Sequence, residues 1–260
     1  LASTSVVVDA TPPTAVTSLT ATARPAGAIE LTWSAATDAG TGVAFYEILR
    51  ATHPAPTVAV VTTTALTYTD PGAGLTHNTT YYYQVRAVDG VGTRGQSSLA
   101  TAAQSDSVSP GAITNLVASS QAQILLTWTA PSEDNMAGGA AIAYVVRVST
   151  SGSIGTETQW AAANVVSVST TPLAPGLTQA MVLTGLRPRT IYWVAIRSVD
   201  EAGNQSDFDT SSPKANALTG SFVLGQEPAG ATGPGTGGVA WGDYDNDGDL
   251  DLAVAGYDGA

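Results

Sequence analysis

LTHNTTYYYQVRAVD, residues 75–89, returns as LRPRTIYWVAIRSVD, residues 186–200. In the first copy Tyr81, Tyr83, Val85 and Ala87 fall on alternate positions, and in the second Tyr192 and Val194 do the same. A period of two, rich in aromatic and β-branched residues, is the pattern of a half-buried strand. Tyr82 and Trp193 stand out of phase with that core set and are expected on the outward face of their sheets.

Working outward, the same order of strands precedes each stretch. AIELTWS sets Ile29, Leu31 and Trp33 on one face, and ILLTW at 124–128 echoes it with Trp128. FYEILRA alternates Tyr46, Ile48 and Arg50, and the second copy offers Tyr144, Val146 and Val148. Trp33 and Trp128 are 95 residues apart, whereas Tyr81 and Tyr192 are 111 apart. The second copy therefore carries about 16 extra residues, mostly between Tyr144 and Tyr192. Repeats of this length, built of strands and turns, are tandem domains and not a solenoid. Pro12 and Pro13 should keep the opening strand at a sheet edge. Trp160, in the inserted segment, is expected to cap an open edge of the second domain.

Each copy resembles a fibronectin type III domain. The residues that carry the resemblance are Trp33 and Trp128, Leu75 with Tyr81, and Leu186 with Tyr192. To these add the turns DGVG after Val88 and DEAGNQS after Val199. The six-residue Leu-to-Tyr spacing is that of the tyrosine corner, whose phenol bonds backbone a few residues upstream. The resemblance implies an all-β fold: two seven-stranded antiparallel sandwiches in tandem, spanning residues 11–105 and 106–218. Residues 1–10, with Val6, Val7 and Val8, read as a leader strand or linker.

Residues 219–260 are of another kind. GVAWGDYDNDGDLDLAVAG places Asp243, Asp245, Asp247, Asp249 and Asp251 at every second position, with Gly248 at the sixth place of the loop. Two such carboxylates about 5 Å apart repel by roughly 3 kcal/mol at an effective dielectric near 20. Hard oxygens gathered around a tight turn suit Ca²⁺. An EF-hand-type loop needs an acid at position 12, where Val254 stands. Leu250, Leu252 and Val254 alternate, so a strand–loop–strand hairpin is expected. The motif D-x-D-x-D-G-x-x-D resembles the FG-GAP/VCBS repeat of integrin-type propellers, here as one partial repeat, and that family implies Ca²⁺ bound by these aspartates. A lone two-stranded hairpin is marginal in water. The chain therefore reads as a fragment of a longer surface protein, as a hairpin docked on the second sandwich, or as strands donated to a neighbouring copy.

The 260 residues carry 21 acids against 9 bases, a net charge of −12. Nucleic acid would be repelled. Without cysteine there is neither disulfide nor thiolate metal site. No apolar run reaches the roughly 20 residues of a membrane span, and the start, LASTS, reads as a mature or trimmed product.

Catalytic signatures are weak. No G-x-S-x-G elbow is present. GPGTGG at 233–238 precedes a strand, not a helix, so it reads as a linker and not a phosphate loop. His53 and His77 fit solvated turns, and Asn78 and Asn204 fit turns better than glycan sites. Glu30, Glu47 and Glu133 promise no pair facing across a cleft, as glycosidase chemistry needs. The reading is a non-enzymatic extracellular or cell-surface protein: a spacer and adhesion module with a Ca²⁺-stabilised end, whose partners are surface proteins or polysaccharide. The alternatives are a filament subunit joined by strand addition and an accessory module of a secreted polysaccharide- or protein-degrading enzyme. In the last, Tyr82 or Trp193 would stack on sugar.

Overall fold

A computed structural model describes residues 8–120, 123–134, 137–168, 170–187, 190–208, 215–218, 238–242 and 251–255. Chain contacts divide it into two compact units, Leu1–Ser109 with Asp200–Asn204, and Pro110–Val199 with Gln205–Ala260.

The first unit contains β1 (Thr17–Ala23), β2 (Ile29–Ser34), β3 (Val43–Ala51), β4 (Ala59–Thr63), β5 (Thr67–Asp70), β6 (Thr79–Asp89) and β7 (Thr101–Ser105). One sheet runs β1-β2-β5 and the other β4-β3-β6-β7, with every pairing antiparallel. Alternation decides what each strand buries. Ile29, Leu31 and Trp33 on β2 meet Tyr46 and Ile48 on β3 and Tyr81, Tyr83, Val85 and Ala87 on β6 in one core. Each such large apolar side chain removed from water stabilises the fold by roughly 1.5–3 kcal/mol. Trp33 meets Tyr46 edge-on, with ring centroids 5.7 Å apart. The corner forms as its spacing implies: the Tyr81 hydroxyl accepts the Thr76 N–H at 2.9 Å, with Leu75 packed against the core. β1 lies at a sheet edge as expected, but Pro12 and Pro13 precede it and do not set its pairing; its register slips between Thr17 and Thr20.

The second unit repeats the plan with β8 (Val117–Ser120), β9 (Ile124–Thr129), β12 (Ala143–Ser149), β14 (Thr178–Leu183), β15 (Ile191–Val199) and β16 (Ala215–Leu218). Additions to the plan are the short hairpin β10 (Ser132–Asp134) with β11 (Ala137–Ala140) and the helix α1 (Glu157–Ala162), while β13 (Asn164–Val166) takes the edge place that β4 holds in the first unit. The sheets run β14-β9-β8 and β13-β12-β15-β16. Ile124, Leu126, Trp128, Tyr144, Val146, Val148, Tyr192 and Val194 share a core. Trp128 again meets Tyr144 edge-on, here at 5.0 Å, and the Tyr192 hydroxyl accepts the Arg187 N–H at 2.8 Å.

The helix departs from an all-strand reading. Thr156 caps it by accepting the Gln159 N–H, and the Gln159 side chain accepts the Gly155 N–H in return. This is a shifted form of the reciprocal Thr-x-x-Gln cap. The cap fixes Trp160, which stacks on Phe208 at 5.6 Å under the Arg197 guanidinium. Arg147 donates to the carbonyls of Trp160 and Ala161 and closes the helix end. Trp160 is thus an anchor with 5 % exposure.

At the C-terminal end β17 (Gly238–Gly242) pairs antiparallel with β18 (Asp251–Ala255), Gly242 opposite Asp251. The expected loop residues Asp243, Asp245, Asp247 and Asp249 lie outside the described residues, as do Val6, Val7, Leu250 and 233–237.

Candidate functional site

The outward faces come first. Tyr82 on β6 and Trp193 on β15 occupy the same place in the repeat and are both half-buried. Tyr82 lies between Ala51 and Ala102 in the sheet register, and Trp193 between Ser149 and Asn216. Part of each ring is accessible, and a flat ring standing on a sheet is suited to stacking on a sugar face.

The acids distribute otherwise. Glu47, 6 % exposed, is held by Arg86 Nε at 2.5 Å and by a two-pronged contact from Arg94. The hydrogen bonds from Arg94, followed by those from Arg86, hold its carboxyl below the usual glutamate range against the opposing effect of burial. Glu30 pairs with Arg24, and Glu133 accepts the Gly139 N–H at 2.8 Å. Asp70 takes both Arg50 and the Tyr83 hydroxyl; burial, reinforced by Asp70, pushes the Tyr83 phenol far up. A hollow of about 360 Å³ in the second unit is lined by residues 111–115 and 129–132, none of them acid, base or thiol.

Of the other candidates, His53 is exposed in a turn. His77 is not simply solvated: its Nδ1 lies 3.2 Å from an Asp106 carboxylate oxygen. Asn78 takes a left-handed φ of 59°, the turn role expected of it. Asn204 is 5 % exposed and donates its amide to Asp200 and Asp106, so it is a structural residue and not a glycan acceptor.

Two acidic groups had no signature in linear sequence. Asp9, Asp38 and Asp89 bring carboxylate oxygens within 4.8 Å of one another, as do Asp106, Asp200 and Glu201. The signal was available only by overlaying the repeats, since Asp9 and Asp89 have Asp106 and Asp200 as their counterparts. Burial, chiefly, raises the Asp200 carboxyl above the ordinary range despite the Asn204 hydrogen bonds.

No known family profile matches the chain. It is 31 % identical over 208 residues to Exoglucanase B of Cellulomonas fimi, which covers 76 % of this chain and 16 % of that protein. It is 38 % identical over 113 residues to Exoglucanase A of the same organism, covering 43 % of this chain and 12 % of that protein. Chitinase A1 of Niallia circulans is 28 % identical over 207 residues, covering 76 % and 25 % of the two chains. This chain thus spans no more than a quarter of the length of these relatives. Among solved structures, the FN1–FN3 domains of chicken CNTN1 superpose with a TM-score of 0.61 at 20 % identity, over 80 % of this chain and 68 % of that one. The fold is all-β with fibronectin type III-like domains. No described helix is long and apolar enough to cross a membrane.

Proposed function

We propose that the chain is a non-catalytic accessory segment of a secreted glucan- or chitin-degrading enzyme, in which two sandwiches space and present neighbouring parts of the polypeptide to an insoluble polysaccharide. One observation carries this reading: the likeness to an exoglucanase and to a chitinase extends over about three-quarters of this chain while taking up a quarter or less of theirs. A match of that extent supports reading the chain as a module shared among such enzymes. On this reading the partner of the adhesion module is a polysaccharide outside the cell.

The sandwiches are assigned to residues 11–105 and 106–218, each with seven strands around a Trp/Tyr core, followed by a calcium hairpin at 219–260. Tyr82 and Trp193 are the residues that would touch sugar. In the hairpin, Ca²⁺ would be held by Asp243, Asp245, Asp247, Asp249 and Asp251, stiffening that end. Strand addition between copies would instead give filaments visible in negative stain.

The test is co-sedimentation of the purified chain with insoluble glucan and chitin, alongside an assay for released reducing ends. The proposal expects depletion from the supernatant without hydrolysis, weakened by Tyr82→Ala and Trp193→Ala. Hydrolysis by the chain alone would refute it.

A further inference from the structure

We infer that Asp9, Asp38 and Asp89 form a second cation site, selective for a hard divalent ion such as Ca²⁺, which ties the segment before β1 to two loops of the first unit. The three carboxylates come from chain positions up to 80 residues apart and have oxygens within 4.8 Å of one another. Backbone and hydroxyl donors hold each carboxylate in place. Asp9 accepts the N–H of Thr11 and both the N–H and the hydroxyl of Thr41. Asp38 Oδ2 accepts the N–H groups of Gly40 and Gly42. Asp89 Oδ1 accepts those of Val91 and Thr93. These bonds use one oxygen each of Asp38 and Asp89. The other oxygens, Asp38 Oδ1 and Asp89 Oδ2, are buried and have no partner, and Asp89 is only 1 % exposed. A buried carboxylate oxygen left without a donor is costly, and a cation shared by the three would supply what it lacks.

The Asp200–Asn204 turn shows the uncharged solution to the same problem. There Asn204 N–H bonds Asp200 Oδ1 at 2.8 Å, as Thr93 N–H bonds Asp89 Oδ1 at 2.7 Å. The Asn204 side-chain amide then bonds Asp200 Oδ2 at 2.9 Å and reaches Asp106 as well. Thr93 replaces that Asn in the Asp89 turn and carries no amide to play this part. Each carboxylate offers one oxygen to the shared point, so water would complete the shell of Ca²⁺, whereas the rigid octahedron of Mg²⁺ fits a loop-built site less well.

The test uses the full chain with Asp245→Asn and Asp247→Asn, so that the hairpin proposed above cannot contribute. Isothermal titration with CaCl2 should give saturable uptake of one ion, and Ca²⁺ should raise the melting temperature more than Mg²⁺ does. Adding Asp38→Asn should abolish both effects. Placing Asn at position 93 (Thr93→Asn) should lower the affinity for Ca²⁺ while preserving the fold in its absence. This second variant keeps the inference testable if Asp38→Asn does not fold. No uptake in the hairpin-silenced chain, or uptake unchanged by both further substitutions, would overturn it.

Discussion

The Asp9 carboxylate lies against the backbone of Gly40: a β-carbon built on Gly40 would stand 2.1 Å from Asp9 Oδ2. No side chain fits there without expelling Asp9. Gly40→Ala is therefore expected to free the segment around Asp9 from the Thr41 loop. Limited proteolysis should show faster cleavage near Asp9 in the variant, with far-ultraviolet circular dichroism unchanged.

The two corners set a matched pair of expectations. Tyr81→Phe and Tyr192→Phe remove the acceptors of the Thr76 and Arg187 N–H groups. Each should cost about 1–3 kcal/mol, the range for leaving a part-buried donor unsatisfied. Chemical denaturation of each variant measures it, and a change within experimental error at either site would show that the corner bond is not stabilising there.

Acid should weaken the first unit through Glu47. Its carboxyl is held low in the folded chain, foremost by Arg94. The stability it contributes is present above the unfolded glutamate pKa of about 4.3 and is lost as pH falls through the lower folded value. Glu47→Gln should therefore lower the melting temperature at pH 7 and flatten its decline below about pH 4. An unchanged acid limb would contradict this assignment.

The helix in the second unit depends on its cap and its anchor. Thr156→Ala removes the acceptor for the Gln159 N–H and should cost about 0.5–2 kcal/mol. Trp160→Ala removes the ring stacked on Phe208 and should cost about 3–5 kcal/mol. Thermal melts that rank the two the other way would show that the cap, not the stacked ring, holds the insertion.

Much of the fold was legible because strand periodicity and corner spacing are local and occur twice. Trp33, Tyr46, Tyr83 and their counterparts Trp128, Tyr144 and Val194 all sit in the cores that alternation assigns them. The helix was not legible: its one local mark is Thr156-x-x-Gln159, and six helical residues are too few to show a 3.6-residue period. The aspartates at 243–251 were legible because they recur at every second position of one short stretch. Asp9, Asp38 and Asp89 were not, because only the chain topology brings a leader and two loops to one point. Glu47 likewise gives no sign in sequence that two arginines from elsewhere will bury it.

The central claim, a sandwich segment that serves a polysaccharide-degrading enzyme without cutting sugar itself, is tested most directly by partition onto insoluble glucan and chitin. The account predicts that the intact chain leaves the supernatant with at least one of them, that Tyr82→Ala with Trp193→Ala returns it, and that no reducing ends appear. A chain that stays wholly in solution beside both polysaccharides, or that releases sugar from either, contradicts it.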